Sequence, residues 1–422
     1  MAAAGPGGLT YDVKGWQPAV RSGVDFRAPR DEELIPLPPG AQLQFLEGRH
    51  PLGWPKGSSL EEPPVALVGE RAVAAQLPSG YARTLLPAYQ RGSDGPPFLP
   101  FFGYAAVVYR GGQAYCGAIQ TDSNPCWAPE RYAGSSGPLR RELQALIEKK
   151  KALHPGNRVV EQLTTCALEY GCYNAQNIFW GRWEGAVTVS PACNAECIGC
   201  ISLQPDGLPP SPQERFRFVP TAAEIVELGL AHLQGDNSIY SFGQGCEGEP
   251  LLQADRIAES IRTIRGVTRA GTLHLNTNAS RPAGFRKVCE AGLDSVRVSL
   301  NSVLSEPYTA YYQPRGYTFE DVRESTRIAH ELGLAVYLNY LHVPGWNDRQ
   351  QEIDALIDFV RDCGVQAIQM RSLNIDPDLY ASSVPLPGGA ARGIPGLLAS
   401  LKQGCPGLLI CNHTLPHRLL AR

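Results

Sequence analysis

Between residues 187 and 370 the sequence repeats one theme six times: a short apolar, β-branched run, then a segment with apolar residues at helical spacing. The runs are Val187-Thr188-Val189, Ser238-Ile239-Tyr240-Ser241-Phe242, Thr272-Leu273-His274-Leu275-Asn276, Ser295-Val296-Arg297-Val298-Ser299, Leu334-Ala335-Val336-Tyr337-Leu338-Asn339 and Gln366-Ala367-Ile368-Gln369-Met370. In the first helical segment Thr221 and Glu224 are spaced as a capping box ahead of Ile225, Leu228 and His232. Further helices are expected over about 252–264, 282–291, 318–332 and 349–362. Such alternation builds a parallel sheet with helices outside it. A complete eight-unit barrel would need more chain than remains.

The first run leads directly into Ser190-Pro191-Ala192-Cys193-Asn194-Ala195-Glu196-Cys197-Ile198-Gly199-Cys200, which sets three thiols at C-x3-C-x2-C spacing on one loop. Soft sulfur ligands favour iron–sulfur clusters and zinc. Three thiolates can each take one iron of a four-iron cubane and leave the fourth iron open. A structural zinc wants four closed ligands, usually as paired C-x2-C units. On spacing alone both readings stand.

The context of the loop resembles the radical S-adenosylmethionine (SAM) enzyme superfamily, in which such a loop follows the first strand of a partial barrel, and the six units match that family's α/β partial (β/α)6 barrel. After the second run comes Gly243-Gln244-Gly245-Cys246-Glu247-Gly248-Glu249-Pro250. This is similar to the family's G-G-E-P motif, with Gly248, Glu249 and Pro250 in place and Glu247 where glycine is usual. The resemblance implies a [4Fe-4S] cluster on Cys193, Cys197 and Cys200 whose open iron chelates SAM. It implies that Glu249 receives the SAM amino group, a natural pairing of carboxylate with ammonium. Thr277 and Asn278 look like the family's T-N-G step. By the same resemblance Ser299 and Asn301 are candidates for the SAM carboxylate or ribose, with Arg297 the weaker candidate. At the end of the fifth strand the stretch from Asn339 to Gly345 is expected near adenine, with Asn339 a cofactor-binding candidate. Gln369, Arg371 and Asn374 are candidates for adenine or substrate contact. His342, alone at a strand end, reads as structural. Gly199 departs from the family, which commonly has an aromatic residue there, so Ile198, Ile201 or backbone is expected to cover that edge.

Residues 1–180 read differently. Pro and Gly punctuate the first hundred residues, favouring loops and short strands over long helices, and roughly the first 25 are expected to be poorly ordered. Gly111-Gly112 between two alternating runs marks a hairpin, and residues 137–153 have the pattern of one helix. The expected division is an N-terminal α+β domain over 1–180, the partial barrel over 181–375 and a short C-terminal extension over 376–422. Four cysteines upstream of the loop, Cys116, Cys126, Cys166 and Cys172, match no compact metal knuckle. Convergence on one auxiliary iron or zinc and burial as unligated thiols are both open.

A formal net charge of −3 leaves no electrostatic footprint for nucleic acid or an anionic membrane. The chain has no apolar run approaching the ~20 residues of a membrane span. The opening residues MAAAGPGG lack a basic region followed by an apolar one, so a cytoplasmic protein is expected. The activity implied by the resemblance is reductive cleavage of SAM to a 5′-deoxyadenosyl radical and hydrogen-atom abstraction, with electrons from a partner such as flavodoxin or ferredoxin. A peptide or protein side chain is the expected substrate, a small molecule, including methyl transfer, the alternative. A non-catalytic iron–sulfur or zinc-binding interaction protein is the reading from another class.

Overall fold

Residues 1–5 and 8–420 are described by the computed structural model. Seven strands form one parallel sheet in chain order: Glu184–Val187, Ile239–Phe242, Thr272–Thr277, Ser295–Leu300, Ala335–His342, Ala367–Ser372 and Leu409–Cys411. Their C-terminal ends come level, with Val187 beside Phe242, Phe242 beside Leu275, Thr277 beside Val298 and Tyr340 beside Met370. The loops that follow therefore share one rim. The α/β fold is the one expected, and the stretch expected as an extension adds a seventh strand, paired with Ala367–Ser372.

Helices pack outside the sheet. Ala222–His232 begins with the expected capping box, Glu224 N donating to Thr221 Oγ1 at 3.2 Å and Thr221 N to the Glu224 carboxylate at 2.7 Å. Ala254–Val267, Pro282–Glu290, Phe319–Glu331 and Gln350–Asp362 each bury one apolar face, as with Ile353, Leu356, Phe359 and Val360 of the last. The first strand lies earlier than its β-branched run suggests, because the chain is already leaving the sheet at Thr188. Helix Ser305–Tyr312 has no counterpart in the periodic pattern; its buried residues are Pro307 and three tyrosines.

The N-terminal region is built of short strands. The hairpin Ala105–Arg110 and Gln113–Gln120 forms as expected, Val107 opposite Cys116. It is extended by strands distant in sequence, among them Leu34–Pro36, Val73–Gln76 and Tyr81–Arg83. The expected disorder of the first residues is corrected: Ala2–Ala4 is a buried strand paired with Thr10–Asp12, and Val20–Ser22 is buried as well. Small alanine side chains allow that close packing. Helices Pro138–Leu153, Arg158–Leu168 and Tyr173–Trp180 then lead into the first barrel strand.

This region closes over the sheet. Arg83, 1% exposed, donates from its backbone N to Ser372 Oγ at 2.9 Å and from Nη2 to Leu373 O at 3.0 Å, and its carbonyl faces His342 Nε2 at 3.0 Å. Gly23 N donates to Pro344 O at 2.9 Å.

Candidate active site

At the rim a cavity of about 420 Å³ opens between the cysteine loop and the ends of strands two to six. Cys193, Cys197 and Cys200 share its wall, facing Glu249, Thr277, Asn278, Ser299 and Asn339 across the space. Gly248, Pro250 and Asn374 line it too.

The cysteine loop is held from two sides. On one, Gly248 N donates to Ser190 O and Glu249 N to Ala192 O, both at 2.8 Å. A Cβ on Gly248 would lie 1.9 Å from the Ala192 carbonyl oxygen, so only glycine allows this approach. On the other, Glu196 N donates to Tyr312 O at 3.0 Å and Ile198 N to Tyr311 O at 3.1 Å. Helix Ser305–Tyr312 thus carries the far edge of the loop.

That helix also resolves the departure at Gly199. A Cβ there would come 2.8 Å from the Tyr311 hydroxyl, and Tyr311 lines the cavity. Of the residues expected at that edge Ile201 lines the cavity and Ile198 does not, and a neighbouring element adds the aromatic ring of Tyr311. The sequence signal was the run Tyr308, Tyr311 and Tyr312, aromatic residues at helical spacing. Arg215 was missed as well: its Nη2 lies 3.3 Å from Cys200 Sγ and its Nε donates to Ser202 Oγ at 3.1 Å.

Two glutamates organise the second loop. Glu247, 5% exposed, accepts from Val189 N and Ser190 N at 2.8 Å each and from Gln244 N at 2.6 Å. The residue that replaces the usual glycine is therefore a brace under the cysteine loop. Burial pushes its carboxyl up to about 8 against the pull of those three donors. Glu249 accepts from Asn278 N at 2.8 Å, from Leu251 N at 2.9 Å and from Thr277 Oγ1. Burial raises it to about 7. Two carboxylate oxygens offer about four acceptor sites, so three donors leave room for one more cation donor from the cavity.

Other expected positions fall elsewhere. Asn301 is fully buried and does not line the cavity; its Nδ2 donates to Pro307 O and Tyr380 OH, both at 3.2 Å. The strand has ended at Leu300, and Asn301 already anchors the turn into Ser305–Tyr312. Gln369 is fully buried in the interior of the sheet, bonded to Arg297, Arg371 and Thr414. Pro344 and Gly345 meet Gly23 of the N-terminal region instead of the cavity: a Cβ on Gly345 would lie 1.8 Å from Gly23 N. Asn339 and Leu341 are the residues of that stretch on the wall. His342 is structural, as read, and burial lowers its imidazole to about 3. Of the four upstream cysteines, Cys166 meets Cys246, Sγ to Sγ 3.2 Å, with Cys172 nearby at 3.9 Å from Gln244 Oε1. Cys116 lies in the middle of strand Gln113–Gln120 and Cys126 in the turn Pro125–Trp127, so the four do not gather.

A [4Fe-4S] cluster fits the three loop thiols. Among the described residues no three His, Cys, Asp or Glu side chains close on a single-ion point, and three thiols on the wall of one cavity are the donor set that iron of a cluster takes. Burial pushes the Cys193 thiol up to about 11 and raises Cys197 as well, its neighbouring thiols adding to the rise. Bare, they are neutral; bound iron would deprotonate them outright.

The family model of the Radical SAM superfamily matches residues 187–360. The chain carries a radical SAM domain. Among curated relatives, a probable GTP 3′,8-cyclase of Methanosarcina acetivorans is 40% identical over 203 residues, covering 46% of this chain and 55% of that protein. The GTP 3′,8-cyclase of Chlorobaculum tepidum is 30% identical over 178 residues, covering 42% and 49%. The chain spans about half the length of the curated relatives it matches. The solved methylornithine synthase PylB aligns over 64% of this chain and 74% of its own at 16% identity and a TM-score of 0.37. Among the described residues no helix is long and apolar enough to cross a membrane.

Proposed function

We propose that this chain is a radical SAM enzyme that cleaves SAM reductively and abstracts a hydrogen atom from a substrate held at the rim of the partial barrel. The observation that carries this is the shared wall: three thiols and the buried Glu249 face one cavity, with no fourth cysteine among its lining residues. When bound, cluster and SAM together supply a 5′-deoxyadenosyl radical able to take hydrogen from an unactivated carbon.

The residues of the chain bind, orient and exclude water. Cys193, Cys197 and Cys200 hold the cluster. Glu249 takes the SAM ammonium once ionised, positioned by Thr277 and Asn278. Ser299 and Asn339, bonded to each other at 3.2 Å, offer polar contacts to the ribose or carboxylate. Tyr311 covers one edge, and Arg215 directs positive charge at Cys200. Residues 1–180 shape access, 181–375 hold the cofactors and 376–422 complete the sheet.

The substrate must reach in through the rim with one reacting group, which suits a small molecule or one side chain of a peptide or protein. The relatives named GTP 3′,8-cyclase favour the small molecule. Electrons come from a flavodoxin or ferredoxin in the cytoplasm. The test is anaerobic reconstitution: reduced wild-type protein should show cluster absorption and form 5′-deoxyadenosine from SAM. Absence of both would end the proposal.

A further inference from the structure

Inside the sheet, below the rim, lies a second cavity of about 190 Å³, room for roughly six waters. Arg297 belongs to the walls of both cavities, so they meet around one side chain. Arg371, Glu184 and His413 line the inner one, and Ser79 and Asn174 of the N-terminal region close it.

Of its two arginines only Arg297 has a carboxylate within ion-pair distance among the described residues. Arg297 Nη1 and Arg371 Nη2 both donate to the same neutral oxygen, Gln369 Oε1, at 2.8 and 3.0 Å. Each guanidinium carries five N–H donors. Arg297 has two further partners, Thr414 Oγ1 at 3.2 Å and Glu184 Oε1 at 3.9 Å. That same Glu184 oxygen already accepts from Ser241 Oγ at 2.9 Å. Arg371 has no carboxylate within ion-pair distance among the described residues. Its burial lowers it to about 10, and the charge of Arg297 adds to the fall while Glu184 and Asp122 pull the other way. His413, 3% exposed, uses Nδ1 on Asp122 Oδ2 at 2.8 Å and leaves Nε2 buried without a partner. Glu184 balances Arg297, which leaves Arg371 without an ion-pair partner, one shared neutral acceptor and an unused imidazole nitrogen as the features that an incoming anion would complete.

We propose that the inner cavity binds an anionic group of the substrate, a carboxylate or phosphoryl group, in the guanidinium fork of Arg371 with Arg297 and His413 beside it. Planar, bidentate recognition of such groups is what arginine supplies and lysine does not. The proposal rests on the radical SAM reading, in which the carboxylate of SAM itself would be held at the rim, by the open iron with Ser299 and Asn339 beside it. The substrate would then lie with its charge deep in the sheet and its reacting carbon toward the rim.

The test uses full-length reconstituted protein with SAM and three probes: acetate, inorganic phosphate and, as neutral isostere, acetamide. Equilibrium dialysis should show saturable uptake of one anion per chain and none of acetamide, and the preferred anion names the substrate class. Arg371→Gln and Arg297→Gln should weaken that uptake at least tenfold with cluster absorption retained, and Arg371→Lys should recover only part of it. Uptake of neither anion, uptake of acetamide equal to acetate, or an Arg371→Gln protein that binds as wild type would overturn the proposal. The acetate and acetamide contrast needs no variant, so a poorly folding one does not blunt the test. SAM cleavage by the same wild-type sample reports separately on the radical reading: cleavage without anion uptake sinks this site alone, and uptake without cleavage sinks the reading it rests on.

Discussion

The two halves of the molecule use strands in opposite ways. In the radical SAM domain each strand pairs with the next in sequence, and Ala335–His342 and its neighbours are buried along most of their length. In the N-terminal region strands of three or four residues pair across long stretches of chain, as Leu34–Pro36 does with Gln113–Gln120. The difference separates work. A sheet of sequential parallel strands gathers its loops at one rim and so builds the chemistry. The N-terminal region covers a side of that sheet and contributes walls such as Ser79, in a turn, and Asn174, in helix Tyr173–Trp180.

The largest effect that would test this separation is total. Cys197→Ala should abolish both cluster absorption and 5′-deoxyadenosine formation after anaerobic reconstitution, with far-UV circular dichroism unchanged. Iron retained by that variant would place a cluster on the upstream cysteines and break the division. Next comes the seam. Arg83→Ala leaves the buried carbonyls of Gly103 and Leu373 without their donor, and should cost about 2–4 kcal/mol in denaturant unfolding. If the halves are separate units, the N-terminal transition should move apart from that of the sheet. An Arg83→Met protein as stable as wild type would show that packing, not the guanidinium, closes the seam.

The same contrast explains what could be read in advance. The radical SAM strands and helices were legible because hydrophobic period changes cleanly from strand to helix, and Thr221 and Glu224 announce a helix start locally. The cluster loop was legible because three cysteines at short spacing need no tertiary information. Tyr311 was not, since its value lies in facing Gly199, more than a hundred residues earlier. Asn301 was misplaced because a polar residue at a strand end serves a turn as readily as a ligand, and only the position of Tyr380 decides. Buried Ala2–Ala4 was missed for a related reason: alanine carries no periodic signal, and its partner strands are set by folding at a distance.

A moderate effect should appear at Glu249. With its carboxyl raised to about 7, the ionised fraction in SAM-free protein rises from roughly a tenth at pH 6 to roughly nine-tenths at pH 8. A SAM ammonium needs the ionised form, so affinity for SAM should strengthen about tenfold over that interval. Glu249→Gln should weaken binding by roughly tenfold or more and flatten the pH dependence. Binding by wild-type protein that is level from pH 6 to 8 would assign the ammonium to another group and weaken the claim that the rim alone holds the cofactor.

The smallest effect lies where the halves touch through one carboxylate. Glu224 closes the capping box of its own helix and also receives Arg158 at the start of Arg158–Leu168, at 2.7 Å. Chiefly because Arg158 bonds it, its carboxyl falls to about 2 from an ordinary 4.5. A lowered carboxyl stabilises the fold above its unfolded value, and that contribution is lost as pH falls from about 4.5 toward about 2. Thr221→Ala removes the local half of the arrangement and should cost about 1 kcal/mol at neutral pH. Arg158→Ala removes the cross-domain half, exposed to water and salt, so it should cost little at neutral pH and make stability fall less steeply between about pH 4.5 and about 2, where the lowered Glu224 carboxyl no longer contributes a loss. If instead Arg158→Ala cost more than Thr221→Ala at neutral pH, the seam would depend on its surface charges, and the picture of a self-sufficient sheet merely covered by its neighbour would have to be redrawn.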